Sequence, residues 1–195
     1  MAKTLSEKQV KRLKKLLKDF NANQMRQIRW GLEDGLGVSL YADPQYDWHQ
    51  MAQIRCGLEQ GLDVREYADP KYTSAQMWQL REGLEAGLDV TIYANPKYAW
   101  RQMWQIRLGL KQGLDISVYA DPKYAWRQMR QIRRGQAQGL DVSIYADPKY
   151  HEYKMREIRK GLEKKLNVSS YASSKMRSIE MKKMREAIEQ AAIND

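Results

Sequence analysis

Hydrophobic and polar positions along the chain recur with a fixed spacing of 26 residues. Methionines mark the same point of each repeat, at Met25, Met51, Met77, Met103, Met129, Met155 and Met181. The residues around them follow the pattern M-x-Q-I-R-x-G-L-x-x-G-L-D-V-S-x-Y-A-D-P-K-Y-x-W-x-Q, and all five prolines fall at its proline position. Such strict self-similarity predicts a stacked array, because a unit of this size buries its hydrophobic face only against neighbouring units.

Each repeat carries the start and stop signals of one long and one short helix. Asp121–Pro122 predicts an N-cap followed by proline at the first helical position, and Gly139 stands where a helix-ending glycine belongs. The long helix is therefore expected to span about 15 to 18 residues. Asp141 is placed to cap a short helical turn in the "LDVSIYA" segment. A strand is the alternative there, because Val, Ile and Tyr favour sheets, but isolated strands would lack partners.

These elements predict an all-α protein: an α-solenoid of six to seven 26-residue repeats, with one long helix plus one short helix per repeat. Residues 1–24 form a predicted basic N-terminal capping helix, in which Ser6 and Gln9 match a capping box. Residues 25–180 form the predicted six-repeat α-solenoid. Residues 170–195 keep the frame of the repeat but lose its Asp-Pro and both glycines, so residues 181–195 are expected to form a C-terminal capping half-repeat.

A helical wheel separates the constant positions of the repeat from the changing ones. The constant positions cover more than half of the wheel, as expected for a helix that has a neighbour on each side. A glycine inside each long helix lowers helix propensity, and we expect close approach of adjacent helices to compensate for it. These glycines are Gly57, Gly83, Gly109, Gly135 and Gly161.

The remaining arc holds the residues that change between repeats, and it contains every tryptophan of the chain. In the middle and late repeats tryptophan is combined there with arginine, and these two residue types often dominate binding interfaces. The predicted partner-binding residues are Trp78, Trp100, Arg101, Trp104, Trp126, Arg127, Arg130 and Arg134. The alternative is structural: the tryptophans pack as a second core layer between helices, or against arginine within one helix.

The formal net charge is +10, and it is unevenly distributed. Residues 1–24 carry +5, the repeat that begins at Met25 carries −2, and the repeat that begins at Met155 carries +4. A basic surface with interleaved aromatic residues suits nucleic acid, through phosphate contacts and base stacking. It suits an acidic protein surface equally well. A third interpretation is that the surplus of Lys and Arg only keeps the protein in solution.

The residues that catalysis or metal binding would need are sparse. The chain has two histidines and one cysteine, without ligand spacing, and it has no phosphate loop of the G-x-x-x-x-G-K type. We therefore expect no enzyme, no cofactor, no metal site and no small-molecule substrate. No apolar run approaches the length of a membrane span, and the start lacks the apolar stretch of a signal peptide. These features predict a cytoplasmic protein that does not bind membranes.

The segment "QMWQIRLGLKQGLDISVYADPKY" resembles a 26-residue helical repeat of bacterial proteins found in phage-like and conjugative mobile elements. The resemblance covers roughly residues 25 to 180. It implies an accessory role in a mobile element, such as interference with a host system that targets nucleic acid. It assigns no role to any single residue.

The sequence favours a non-enzymatic repeat scaffold that binds nucleic acid or a nucleoprotein through its variable Trp- and Arg-rich helical face. The alternative is a protein-binding adaptor or inhibitor that uses the same face against an acidic partner, for example a counter-defence protein of a mobile element. Sequence alone leaves both possibilities open.

Overall fold

The computed structural model describes residues 17–194 and contains no strand in that range. Its α-helices are α1 (Ala22–Glu33), α2 (Trp48–Glu59), α3 (Ser74–Glu85), α4 (Trp100–Lys111), α5 (Trp126–Ala137), α6 (Glu152–Glu163) and α7 (Ser178–Asn194). Short 3-10 helices lie at Leu17–Asp19, Val38–Leu40, Val64–Glu66, Val90–Ile92, Ile116–Val118 and Val142–Ile144. The predicted all-α architecture is confirmed.

The chain forms two compact units, Met1–Pro96 and Lys97–Asp195. In the first unit α2 packs between α1 and α3. In the second unit α5 packs against α4, α6 packs against α5, and α7 packs against α6. Each unit is therefore a row of consecutive helices in solenoid fashion, one helix per repeat. Residues 1–16 of the predicted basic N-terminal helix (residues 1–24) lie outside the described residues. In the rest of that range, Leu17–Asp19 form a 3-10 helix and α1 begins at Ala22.

The long helices begin later than the sequence predicts, so they are 12 residues long rather than about 15 to 18 in α1 to α6. The Asp–Pro pair does not cap a helix. Instead, the Asp43 carboxylate accepts the Gln45 N–H at 2.9 Å and the Asp43 carbonyl accepts the Tyr46 N–H at 3.1 Å. This is a β-turn with proline at its second position. The prediction of an Asp–Pro N-cap was wrong, because the same residue types serve a turn equally well.

The actual N-caps are the residues directly before each helix. In α1, α2 and α3 a glutamine three residues after the cap completes a capping box. The Gln50 side-chain oxygen accepts the Asp47 N–H at 2.7 Å, and the Asp47 carboxylate accepts the Gln50 N–H at 2.9 Å. Even where the cap residue is Ala125, the Gln128 oxygen accepts its N–H at 2.7 Å. The constant glutamine before methionine therefore specifies where the helix begins.

The predicted ends of the long helices are confirmed. Gly61 and Gly139 adopt positive φ values of 68° and 69°. The Leu62 N–H donates to the Gly57 carbonyl at 2.9 Å, which closes a Schellman motif. The predicted short helical turn is also confirmed: the Asp141 carboxylate accepts the Ser143 N–H at 3.0 Å at the start of Val142–Ile144. Local hydrogen bonding thus decides against a strand in this segment.

The glycine inside each long helix accommodates a tyrosine rather than an adjacent long helix. A Cβ at Gly57 would overlap the hydroxyl of Tyr67 and lie 2.8 Å from Val64 Cγ1. That hydroxyl donates to the Gln53 carbonyl at 3.1 Å. The expectation of close helix–helix approach was therefore wrong: the 3-10 segment of the same repeat folds back onto the helix. Burial raises the pKa of the equivalent Tyr41 hydroxyl to about 12, so it is neutral at physiological pH.

Buried side chains of the constant arc form the core of each unit. Met51, Ile54 and Tyr67 are fully buried in the first unit, and Met129, Ile132 and Tyr145 are buried in the same way in the second. Hydrogen bonds between successive repeats surround these side chains. The Gln50 amide nitrogen donates to the Pro70 carbonyl at 3.1 Å in the next repeat. The Tyr46 hydroxyl donates to the Ala68 carbonyl at 2.7 Å.

Within each unit, a constant arginine connects a helix to the helix before it. Arg81 Nε donates to the Gln53 side-chain oxygen at 3.1 Å, and Arg159 Nε donates to that of Gln131 at 3.0 Å. At the last interface the acceptor is a carboxylate, since Arg185 Nε donates to Glu157 at 2.9 Å. The charged pair keeps the geometry of the neutral one and is itself nearly buried.

Candidate functional site

The predicted partner-binding residues are divided between the two units. Trp78 belongs to the first unit. The other seven belong to the second unit, where they lie on α4 and α5: Trp100, Arg101, Trp104, Trp126, Arg127, Arg130 and Arg134. The second unit therefore holds nearly all of the predicted surface.

Trp100 and Trp126 are the first residues of α4 and α5, and arginines lie over both rings. The Arg101 guanidinium carbon is 4.7 Å from the centre of the Trp100 ring and 5.7 Å from that of Trp126. The Arg127 guanidinium is 4.7 Å from the Trp126 ring. We call these four residues the Trp/Arg stack. Both rings are only partly exposed, so cation–π packing within the protein covers much of their surface.

Trp104 differs from the tryptophans of the stack. It lies one helical turn after Trp100 and is 37% exposed. Its repeat position is one residue after methionine, and Arg130 occupies the same position on α5. The ring of Trp104 is thus available to a partner, whereas Trp100 and Trp126 mainly hold arginines in place.

Basic side chains line a groove of about 330 Å³ between α5 and α6. Arg130 and Arg134 lie one turn apart on α5, and Arg156 and Lys160 lie one turn apart on α6. The groove-lining residues are Arg130, Gln131, Arg134, Arg156, Arg159 and Lys160. We call this feature the basic groove.

A second groove of about 170 Å³ continues from the basic groove toward the start of α5. Arg130 and Arg156 line both grooves, and Arg127 of the Trp/Arg stack lines the second. The lining of this second groove also contains Glu152, whose carboxylate lies 4.0 Å from Arg127 Nε. The stack and the basic groove are therefore parts of one continuous surface.

The positive charge of the basic groove is largely uncompensated. Arg159 pairs with Glu163, but within residues 17–194 no carboxylate lies in ion-pair distance of Arg130, Arg134, Arg156 or Lys160. Burial lowers the pKa of Arg134, and repulsion from Arg130, Arg159 and Arg133 lowers it further, whereas the Glu163 carboxylate partly opposes this shift. The Arg134 guanidinium stays charged, because an arginine pKa lies far above physiological pH. The groove thus concentrates cations that repel one another.

Sequence reasoning missed Arg156 and Lys160. Both lie on the changing arc, at the same repeat positions as Arg130 and Arg134. The signal was therefore present in the alignment of the repeats, as two successive repeats with a cation at both positions. What the alignment did not supply is that these positions on neighbouring helices line one groove.

The first unit presents a different surface at Trp78. This ring is 39% exposed, and its Nε1 donates to Glu82 at 3.1 Å. It borders a groove of about 390 Å³ between α2 and α3, which is lined by Trp48, His49, Ala52, Gln53, Ser74, Ala75 and Trp78. Trp48 stacks on His49 with their ring centres 3.5 Å apart. We call this feature the aromatic groove; small side chains lie between its tryptophans, and it has no arginine or lysine in its lining.

No cluster of three or more His, Cys, Asp or Glu side chains within residues 17–194 has the arrangement to hold a metal ion. None of the helices described above has the length and apolar character needed to cross a lipid bilayer.

No protein family, curated protein or solved structure matches this chain. The resemblance to a repeat of mobile elements therefore stays a prediction.

Proposed function

We propose that this protein is a non-enzymatic repeat scaffold that binds nucleic acid through the variable face of its second unit. The observation that carries the proposal is the continuity of the basic groove with the Trp/Arg stack on successive helices. A nucleic-acid strand offers phosphates at regular intervals and bases between them, which are the two chemical groups that this surface suits.

Phosphate contacts are the first part of the proposal. Arg130, Arg134 and Arg156 present planar guanidinium groups, whose paired N–H donors match phosphate oxygens. Each phosphate that such a cation neutralises releases counterions, so the affinity is expected to fall as salt rises. Within residues 17–194 none of these three arginines is ion-paired with a carboxylate, so their donors are available to a partner.

Base stacking is the second part. The exposed ring of Trp104 offers a face to an unpaired base, and stacking of this kind contributes about 1–3 kcal/mol per base. Arg101 and Arg127 are exposed on top of their tryptophans, and guanidinium planes also accept stacked bases. Bases are accessible for stacking in single strands, so we expect single-stranded RNA or DNA to bind more tightly than a duplex.

The protein-binding alternative is favoured by the aromatic groove of the first unit. Trp48 and Trp78 border a surface with small side chains between them and no cation. Tryptophans in such settings are common anchors for protein partners. A scaffold with both surfaces would bridge a nucleic acid and a protein, as a nucleoprotein ligand requires.

The proposal includes a cytoplasmic location, where nucleic acids and their protein complexes are accessible. The resemblance of the repeat to proteins of mobile elements adds a biological setting to it, in which the scaffold counters a host system that targets nucleic acid. Neither element is needed for the binding experiment.

Binding is tested by titrating labelled single-stranded RNA, single-stranded DNA and duplex DNA with wild type, Trp104→Ala and Arg130→Ala at several salt concentrations. We expect both variants to weaken single-strand binding by about tenfold, with unchanged helicity. Log affinity should fall linearly with log salt, and Arg130→Ala should reduce that slope by about one.

Two matched variants control for loss of an exposed residue. Trp30→Ala removes a tryptophan of the first unit that is equally exposed, and Lys123→Ala removes a cation of the second unit outside the basic groove. Neither should change the affinity for a single strand by more than about twofold. Equal losses in the site variants and in the controls, or no binding by wild type, would contradict the proposal.

A further inference from the structure

The basic groove is more organised than a cluster of surface lysines. One of the two arginines on its α6 wall, Arg159, is nearly buried. It donates to the side-chain oxygens of Gln131 at 3.0 Å and Gln138 at 3.2 Å. Gln131, also buried, forms part of the lining. Constant residues of the repeat thus build the base of the groove, and the variable cations stand around it.

The cations approach the groove from two opposite elements. Arg130 and Arg134 lie on α5, whereas Arg156 and Lys160 lie on α6, and none of these four has a carboxylate partner in the described range. Folding this unit brings the four cations together without a direct ion pair for any of them, and their mutual repulsion costs free energy. A bound anion removes that cost, so the arrangement favours an anionic ligand.

We propose that the basic groove is a binding site for a phosphate oxyanion, whose oxygens point in several directions at once. A carboxylate presents two oxygens to one side, so it satisfies donors from one wall; a tetrahedral phosphate reaches guanidinium groups on both α5 and α6. The inference deepens the proposed function and rests on it for the source of the phosphate. The same chemistry is offered by a strand's internal phosphodiesters, by its terminal phosphate and by free phosphate.

Among the helix–helix interfaces described within the two units, the basic groove occurs only at the α5–α6 interface. Between α2 and α3 the corresponding positions hold Ala52, Cys56, Trp78 and Glu82. Between α6 and α7 the two positions on α7 hold Lys182 and Glu186, which lie 3.8 Å apart as an ion pair. The array therefore repeats its scaffold at each of these interfaces but combines four unpaired cations at the α5–α6 interface.

The test is isothermal titration calorimetry on the full chain with inorganic phosphate, with pyrophosphate, and with a short single strand carrying either a 5′-phosphate or a 5′-hydroxyl. The site variant is Arg130→Gln/Arg134→Gln. The control Lys123→Gln/Lys149→Gln removes the same charge from two exposed lysines that do not line the groove. Thermal unfolding followed by circular dichroism checks that both variants are folded.

We expect wild type and the lysine control to bind pyrophosphate alike, and the arginine variant to bind it at least about tenfold more weakly. Tighter binding of the 5′-phosphorylated strand than of the 5′-hydroxyl strand identifies the terminal phosphate as the source. Equal binding of both strands, with the same loss in the arginine variant, identifies internal phosphodiesters. Binding of pyrophosphate without binding of either strand supports the site and contradicts the proposed function.

Two results would overturn the inference. The first is an equal loss of affinity in the arginine and the lysine variants, which would show that overall charge, not the groove, attracts anions. The second is tight strand binding by a folded arginine variant together with no measurable binding of phosphate or pyrophosphate to wild type. In that second case the chain still binds a strand, but through residues other than Arg130 and Arg134, and the phosphate site does not stand.

Discussion

The α2–α3 interface of the first unit and the α5–α6 interface of the second have the same constant framework. Arg81 donates to Gln53 at 3.1 Å and to Gln60 at 2.9 Å. Arg159 donates to Gln131 at 3.0 Å and to Gln138 at 3.2 Å. Each interface also buries a methionine and an aliphatic residue from both helices.

The two interfaces differ in the side chains that stand outside this framework. One and five residues after each methionine, the first interface has Ala52, Cys56, Trp78 and Glu82, and the second has Arg130, Arg134, Arg156 and Lys160. The first therefore forms the aromatic groove, whose lining has no arginine or lysine, and the second forms the basic groove. The comparison separates a constant framework, which both interfaces share, from changing residues, which give each interface its own surface.

The largest expected effect is the transfer of one surface onto the other. The variant Ala52→Arg/Cys56→Arg/Trp78→Arg/Glu82→Lys places the cations of the basic groove at the equivalent positions of the first unit. Because the framework is the same, we expect the second site to bind pyrophosphate within about tenfold of the natural groove. Calorimetry should then give two sites per chain in place of one.

The matched control for this transfer replaces the same four residues with glutamine, which keeps length and polarity without adding charge. It should bind pyrophosphate at one site, as wild type does. A folded cation variant that still shows a single site would mean that the frameworks of the two interfaces are not equivalent.

A smaller effect is expected from substitutions that test whether the glycine–tyrosine packing is equally close in the two units. Gly57→Ala and Gly135→Ala each place a Cβ against a tyrosine hydroxyl and within 2.8 and 2.9 Å of a valine methyl. Overpacking of this kind costs about 1–3 kcal/mol, which exceeds the gain in helix propensity from alanine. Urea denaturation should show similar losses in the free energy of unfolding for both variants.

Two further variants check the cause of that loss. Replacing Tyr67 by Phe in the Gly57→Ala background removes the overlapping hydroxyl, so part of the stability should return. Gly37→Ala is the control, because its φ is −73° and a Cβ there meets nothing within 4 Å. Clearly unequal losses at Gly57 and Gly135 would show that the two units hold their tyrosines differently.

The smallest effect concerns a position where one repeat departs from the others. Lys165 has a φ of 58° at the point where Gly61 and Gly139 end their helices with φ near 68°. A side chain in the left-handed region costs about 1–2 kcal/mol, so Lys165→Gly should raise the free energy of unfolding by about 1 kcal/mol. The reverse change, Gly139→Lys, should lower it by a similar amount in the same denaturation assay.

Much of the fold could be predicted from the 26-residue period. The period predicts one helix per repeat, the helix-ending Gly139 and the cap at Asp141, and each of these depends on residues close together in sequence. The buried Met and Ile positions follow from helix geometry alone. The start of the helix was misplaced, because Asp–Pro is compatible with both a cap and a turn, and local sequence does not choose between them.

Part of the candidate site could be predicted in the same way. The changing arc contains the exposed Trp104 and the cations Arg130 and Arg134, since a helical wheel assigns residues of one helix to a face. The wheel does not show that Arg101 covers Trp100 and Trp126, so the availability of those two rings was overestimated.

The sequence by itself therefore determined the repeat, the helices, their C-terminal ends and the division into constant and changing faces. Tertiary structure alone decided that Tyr67 fills the space left by Gly57, and that Arg130 and Arg134 share a groove with Arg156 and Lys160. The physical reason is that dihedral preferences and helix periodicity act within a few residues of sequence. Contacts between repeats depend on how neighbouring helices are rotated and packed, and packing fixes that rotation only in the folded chain.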